Sequence, residues 1–99
     1  MKIEFPYELG VDILEATVEQ TDDLSFDISF KDPTEKVLEW VELADMCIKH
    51  RMSGNYGKNI KIHEDGKTKI LINCYMVEPS KFVSDELKIS VKIREILVQ

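Results

Sequence analysis

The residues equipped for catalysis or metal binding are few and scattered. The chain has two histidines and two cysteines. A nucleophilic site needs a base within hydrogen-bond reach of a Ser or Cys, often on a strained elbow between strand and helix. The sequence contains no such elbow. His50 falls beside an expected helix C-terminus, where an imidazole complements the dipole, and His63 falls in an expected hairpin. Cys47 and Cys74 lie on apolar faces, outside any C-x-x-C pair and without histidines at zinc-binding spacing. They read as buried structural thiols behaving as small hydrophobes, although two thiols also permit one disulfide. Asp22-Asp23 is ordinary hairpin-tip chemistry. A hard cation wants about six oxygens, and no second loop supplies them. The expectation is a protein that is not an enzyme, with no catalytic residue, metal or cofactor.

Two charged constellations remain, and both suit binding. The first is acidic. Glu35, Glu39, Glu42 and Asp45 are spaced along one helix, with Asp45–Lys49 as a pair four apart. Glu15, Glu19 and Asp27 join them from the outward face of a hairpin. Together they form a candidate surface for a protein partner with a basic face. The second constellation is basic. Gly54-Asn55-Tyr56-Gly57-Lys58 follows Lys49-His50-Arg51. Lys49, Arg51, Tyr56 and Lys58, with Lys61, Lys67 and Lys69 from the next hairpin, form an alternative phosphate or nucleic-acid site. It matches neither a Walker sequence nor a dinucleotide fingerprint. Its ordinary reading is a helix stop, a turn and bases complementing the dipole.

These side chains need elements to position them. Residues 2–9 read as a short strand that Pro6 confines to an edge or an irregular place. Residues 13–19 and 24–31 read as a hairpin. Leu24, Phe26, Ile28 and Phe30 alternate with polar residues, and Leu14, Ala16 and Val18 do the same. Both apolar sets are even-numbered, which requires an odd loop or a bulge. Pairing Val18 with Phe26 and Ala16 with Ile28 leaves Thr21-Asp22-Asp23 as the loop. Asp32-Pro33-Thr34-Glu35 opens a helix, with Asp32 as cap and Glu35 at the capping-box position. Over 33–52 its apolar face collects Val37, Trp40, Val41, Ala44, Cys47, Ile48 and Met52, with Leu38 and Leu43 at the margins, and Gly54 stops it. Residues 59–63 and 67–77 form a second hairpin around Glu64-Asp65-Gly66, pairing Ile60 with Ile70 and Ile62 with Thr68. Ile70 to Val77 is nearly all apolar and reads as a central strand buried on both faces. Residues 86–94 alternate with Leu87, Ile89, Val91 and Ile93 inward. Ser84-Asp85-Glu86 could also open a helix, but period two fits better. The alternation fails at Ile96-Leu97-Val98, which predicts a bulge or extension.

The order is β-β-β-α-β-β-β. It predicts a single α+β domain over residues 1–99, a two-layer arrangement with a mostly antiparallel sheet of five or six strands packed on one long helix. Composition fits one small soluble domain: 99 residues, 43% hydrophobic, 32% charged and a net charge of −6. That charge hides an asymmetry. Residues 1–45 carry a net of −10 and residues 46–99 a net of +4. No run approaches the ~20 apolar residues of a membrane span. No secretory signal is legible, so a reducing, cytoplasmic location is expected.

If the last strand lies beside the first hairpin, Lys88, Lys92 and Arg94 face Glu15, Glu19 and Asp27 and the asymmetry cancels locally. Otherwise it leaves two separate fields that steer charged partners. The expected function is a small non-enzymatic protein-binding domain, of inhibitor or accessory type. Its size, acidity and element pattern are those of many small intracellular inhibitors, immunity proteins and phage accessory proteins, a likeness of class and not of residues. Nucleic-acid or phosphate binding is the alternative, and the net negative charge counts against it. A homodimer through edge strands is the third reading.

Overall fold

A strand with one apolar face can bury it against another layer, or the sheet can curl until the faces meet. This chain curls. The protein, seen in a computed structural model, is described over residues 1–51 and 56–98. The elements are β1 (Lys2–Tyr7), β2 (Gly10–Asp22), β3 (Ser25–Phe30), α1 (Glu35–Lys49), β4 (Gly57–Glu64), β5 (Lys67–Met76), β6 (Lys81–Val83) and β7 (Glu86–Val98). The strand order is β3-β2-β1-β4-β5-β7-β6, and β3 also pairs with β7. That last pairing closes six strands into a barrel and leaves β6 outside it.

The two-layer α+β expectation is therefore overturned. Of the described residues, 63% are in strands and 16% in helix. The physical reason lies in area. A flat six-stranded sheet is about 24 Å across, while one helix covers a stripe about 10 Å wide. Closure buries the remaining apolar face without a second layer and removes two sheet edges. The interior is filled by Ile3, Phe5, Ile28, Phe30, Ile60, Ile72, Cys74, Leu87, Ile89 and Val91, each no more than 1% exposed. Barrels this narrow are packed cores.

Apart from Leu24, the inward sets match the period-two reading, but both hairpin registers lie two residues from the expected ones. Ala16 pairs with Phe30 and Val18 with Ile28, and a bulge at Thr21 precedes an Asp23-Leu24 turn. The backbone N–H of Leu24 donates to Asp22 Oδ1 at 2.8 Å, and Leu24 is exposed instead of inward. In the second hairpin Ile60 pairs with Ile72 and Ile62 with Ile70, and the bulged residue is Lys69. Asp65 and Gly66 both have positive φ, 53° and 78°, as a two-residue type I′ turn requires. A slip of two keeps every side chain on its face, so parity survives the error.

Three further expectations are corrected. β1 is not an edge strand, since it lies between β2 and β4. Pro6 is tolerated there because pairing with β4 ends at Glu4. Ala16 N donates to Met1 O, and the alternation of antiparallel bonds then turns the nitrogen of Pro6 toward the unpaired side. β5 is central but buried on one face only: Ile72, Cys74 and Met76 are inside, while Leu71, Asn73 and Tyr75 are half-covered outside. β7 is a strand throughout, with bulges at Arg94 and Leu97 where the alternation failed.

The helix is shorter than expected. It begins after Thr34, not Asp32, and ends at Lys49. Residues 52–55, including the expected stop Gly54, lie outside the described residues. Val37, Trp40, Val41, Ala44 and Cys47 are buried, as its periodicity indicated. The helix packs at the barrel end where β1 and β3 finish. The Trp40 ring lies 6.0 Å from that of Phe5, and Phe5 lies 5.6 Å from Phe30.

Candidate functional site

The buried arc of α1 fixes what it shows to solvent. At about 100° per residue, the side opposite Val37, Val41 and Ala44 carries Glu35, Glu39, Glu42 and Met46, with Leu43 on one flank and Asp45 on the other. All are exposed except Asp45, which is half-buried. Lys36 lies 3.6 Å from Glu39. Met46 is 53% exposed, with Glu42 and Leu43 one turn before it and Lys49 and His50 one turn after.

Asp45 does different work from its neighbours. Its Oδ1 accepts from the backbone N–H of Ser80 at 2.8 Å and its Oδ2 from the Ser80 hydroxyl at 2.5 Å. This clamp ties the start of β6 to the helix flank. Two residues on is Phe82, paired with the buried Leu87 and therefore on the core-facing side of its hairpin, yet 70% exposed. Chain geometry keeps its Cα within about 7 Å of that of Ser80. The clamp thus sets β6, with the exposed Phe82, against the helix flank at Asp45, next in sequence to the exposed Met46.

The other acids are dispersed. Asp27 Oδ1 accepts from the Ser90 hydroxyl at 2.7 Å, and Lys88 lies 3.6 Å from Oδ2. β7 does neighbour the first hairpin through β3, so this part of the charge asymmetry is used internally. Glu15 lies 3.6 Å from the Met1 amine. Glu19 is exposed on the strand position opposite Asp27. Neither shares the helix face. Glu15 instead borders a hollow of about 580 Å³ with Thr17, Ser29, Lys31 and Glu86, where both charge signs mix.

The basic constellation does not converge. Lys49 is exposed in the last helical turn, and Arg51 adopts φ 50° just after it. The carbonyl of Tyr56 accepts from Trp40 Nε1 at 3.2 Å. Lys58 is half-buried, and its carbonyl lies 3.6 Å from Cys74 Sγ. Lys61 is on the outer face between Glu4 and Leu71. Lys67 pairs with Glu64, and Lys69 Nζ lies 2.7 Å from Glu64 Oε2. Lys58 and the Lys67 turn stand at opposite ends of β4, about 20 Å apart. His63 Nε2 lies 3.0 Å from Glu4 Oε1, and Nδ1 is 3.2 Å from the Thr68 hydroxyl. Among the described residues, no group of three or more His, Cys, Asp or Glu is placed to hold a metal. Among the described residues, no helix is long and apolar enough to cross a membrane.

No known protein family, curated protein or solved structure matches this chain.

Sequence reasoning missed Phe82 and Met46. The signal for Phe82 was Lys81-Phe82-Val83 before Ser84-Asp85, a short strand and turn ahead of a strong strand. The signal for Met46 was its place on the polar side of its own helix, outside the apolar arc.

Proposed function

We propose that this is a small non-enzymatic protein-binding domain, of inhibitor or accessory type, docking through the outward face of α1 and the adjoining β6. The observation that carries it is the exposed pair Met46 and Phe82 on two elements joined by the Asp45–Ser80 clamp, with Glu42 one turn before Met46 and Glu35 and Glu39 farther along the same helix face. Exposed large apolar side chains ringed by charge are characteristic of protein interfaces. The fitting partner presents an apolar centre among Lys and Arg. Carboxylates would steer the encounter, and aromatic and methionine contacts would hold the complex. Two free, buried cysteines support a reducing, cytoplasmic setting.

The test uses a partner captured from lysate of the source cells. Cross-linking should place the partner's lysines against Glu39 and Glu42. Glu39→Gln with Glu42→Gln should slow association roughly tenfold at low salt and little at high salt. Met46→Ala with Phe82→Ala should act on dissociation instead. Undiminished binding by the fourfold variant would overturn the reading.

A further inference from the structure

The barrel end opposite the helix is open, and its opening follows from strand pairing. β2 pairs with β1 only through residues 10–15 and with β3 only from Ala16 onward. β5 pairs with β7 only from Leu71 onward. Beyond β1, the tips of the two hairpins therefore diverge. Between them lies a cavity of about 430 Å³. Its walls are Val18, Phe26, Ile62, Ile70, Ile93 and Ile96. Phe26, Ile62 and Ile93 form its deep part at 8%, 3% and 8% exposure, and Ile96 stands at the lip at 43%. The helix end has Trp40 packed against Phe5 with the rings tilted, 6.0 Å between centroids, whereas this end has a recess of apolar side chains.

We infer that this mouth is a binding site for a small neutral amphiphile: a single apolar chain or ring system entering the barrel, and an uncharged hydrogen-bonding head at the lip. The volume lies in the range of ligand pockets, about 300–1,000 Å³, and barrel mouths are a common place for them. Aliphatic walls select an apolar body. The rim decides the head. It carries Met1, Gln20, Asp23 and Lys69; the Met1 amine lies 3.6 Å from Glu15, and Lys69 is already paired with Glu64 at 2.7 Å. A rim with both signs favours neither a cationic nor an anionic head, and Gln20 offers an amide that both donates and accepts. The site is at the far end of the barrel from α1 and is independent of the protein-docking reading.

The probe is N-phenyl-1-naphthylamine, neutral and fluorescent in apolar surroundings. Wild-type protein should enhance its emission saturably, and 1-decanol should displace it at least tenfold more effectively than decanoate or decyltrimethylammonium. Ile96→Trp, which fills the lip, and Ile70→Glu should each weaken binding at least tenfold, while Met46→Glu at the other end should not. Methyl NMR of wild type during decanol titration should shift Ile70, Ile93 and Ile96 selectively, a measurement that needs no variant to fold. No saturable enhancement, displacement led by a charged amphiphile, or shifts spread away from these methyls would each overturn the inference. So would a dimer in light scattering that Ile96→Trp dissociates, because a second copy would then be the occupant.

Discussion

Cys74 shows at the scale of one residue what closure does to chemistry. It is fully buried between Ile72 and Met76, and burial pushes its thiol up from an ordinary 9.0 to about 12 despite the nearby Arg94 charge. The thiolate, not the thiol, is the nucleophile. The folded protein should therefore resist alkylation of Cys74 at pH 8 and react there only on unfolding, as mass spectrometry after iodoacetamide would read. The sign of the linkage follows. The folded state holds a proton that the unfolded state releases, so stability is unaffected below about pH 9 and falls as pH rises toward 12. Cys74→Ala should flatten that alkaline limb in urea titrations. At the surface the opposite holds: Lys69 beside Glu64, and the Leu24 N–H on Asp22, keep those carboxyls below the usual range. Burial of both cysteines was legible from their apolar faces. Pairing of Asp27 with Lys88 was one of the two readings the charge pattern left open, whereas the Ser90 partner of Asp27 and the Ser80 partner of Asp45 were not legible, because those serines are distant in sequence.

Helix initiation shows how neighbouring candidates are sorted at the scale of an element. Asp32, the cap expected from the sequence, belongs to a residue type preferred over Thr at that position, yet the helix is capped by Thr34. Thr34 prevails because its hydroxyl has two partners. It accepts from the Val37 N–H at 3.4 Å and donates to Asp12 Oδ2 on β2 at 2.5 Å. Thr34→Ala should cost about 1–2 kcal/mol and Thr34→Ser much less. A double-mutant cycle with Asp12→Ala, read by chemical denaturation, should show coupling between them. The hairpins carry the same lesson. Their parity was legible because one face of each strand is apolar. Their register was not, because the bulges at Thr21 and Lys69 trade an odd loop for a two-residue turn and, apart from Leu24 in the first turn, leave the inward set unchanged.

Closure is the property of the whole molecule. β3 and β7 are more than half the chain apart, yet Ile28 pairs with Ile89, both essentially fully buried. Ile28→Ala removes apolar volume at that seam and should cost roughly 2–5 kcal/mol. Ile96→Ala at the open lip should cost less than about 1 kcal/mol. Urea unfolding by fluorescence of Trp40 and by far-ultraviolet dichroism should give one coincident transition for both variants. The same seam sets Lys88 beside Asp27, so the charge asymmetry is partly cancelled across it. The helix carboxylates are left as an exposed negative face.

Alternation, helix periodicity and turn residues determined the strands other than β6, where the helix lies and, Leu24 apart, which side chains face inward, because these depend on neighbours within a few residues. They also determined that the helix acids Glu35, Glu39 and Glu42 face water. Tertiary structure alone decided that the sheet closes, that β1 is internal, that Asp45 clamps β6 and that one barrel end stays open. Those outcomes depend on which distant edges meet. Many pairings satisfy the same local pattern, and only the packing of a single shared core selects among them.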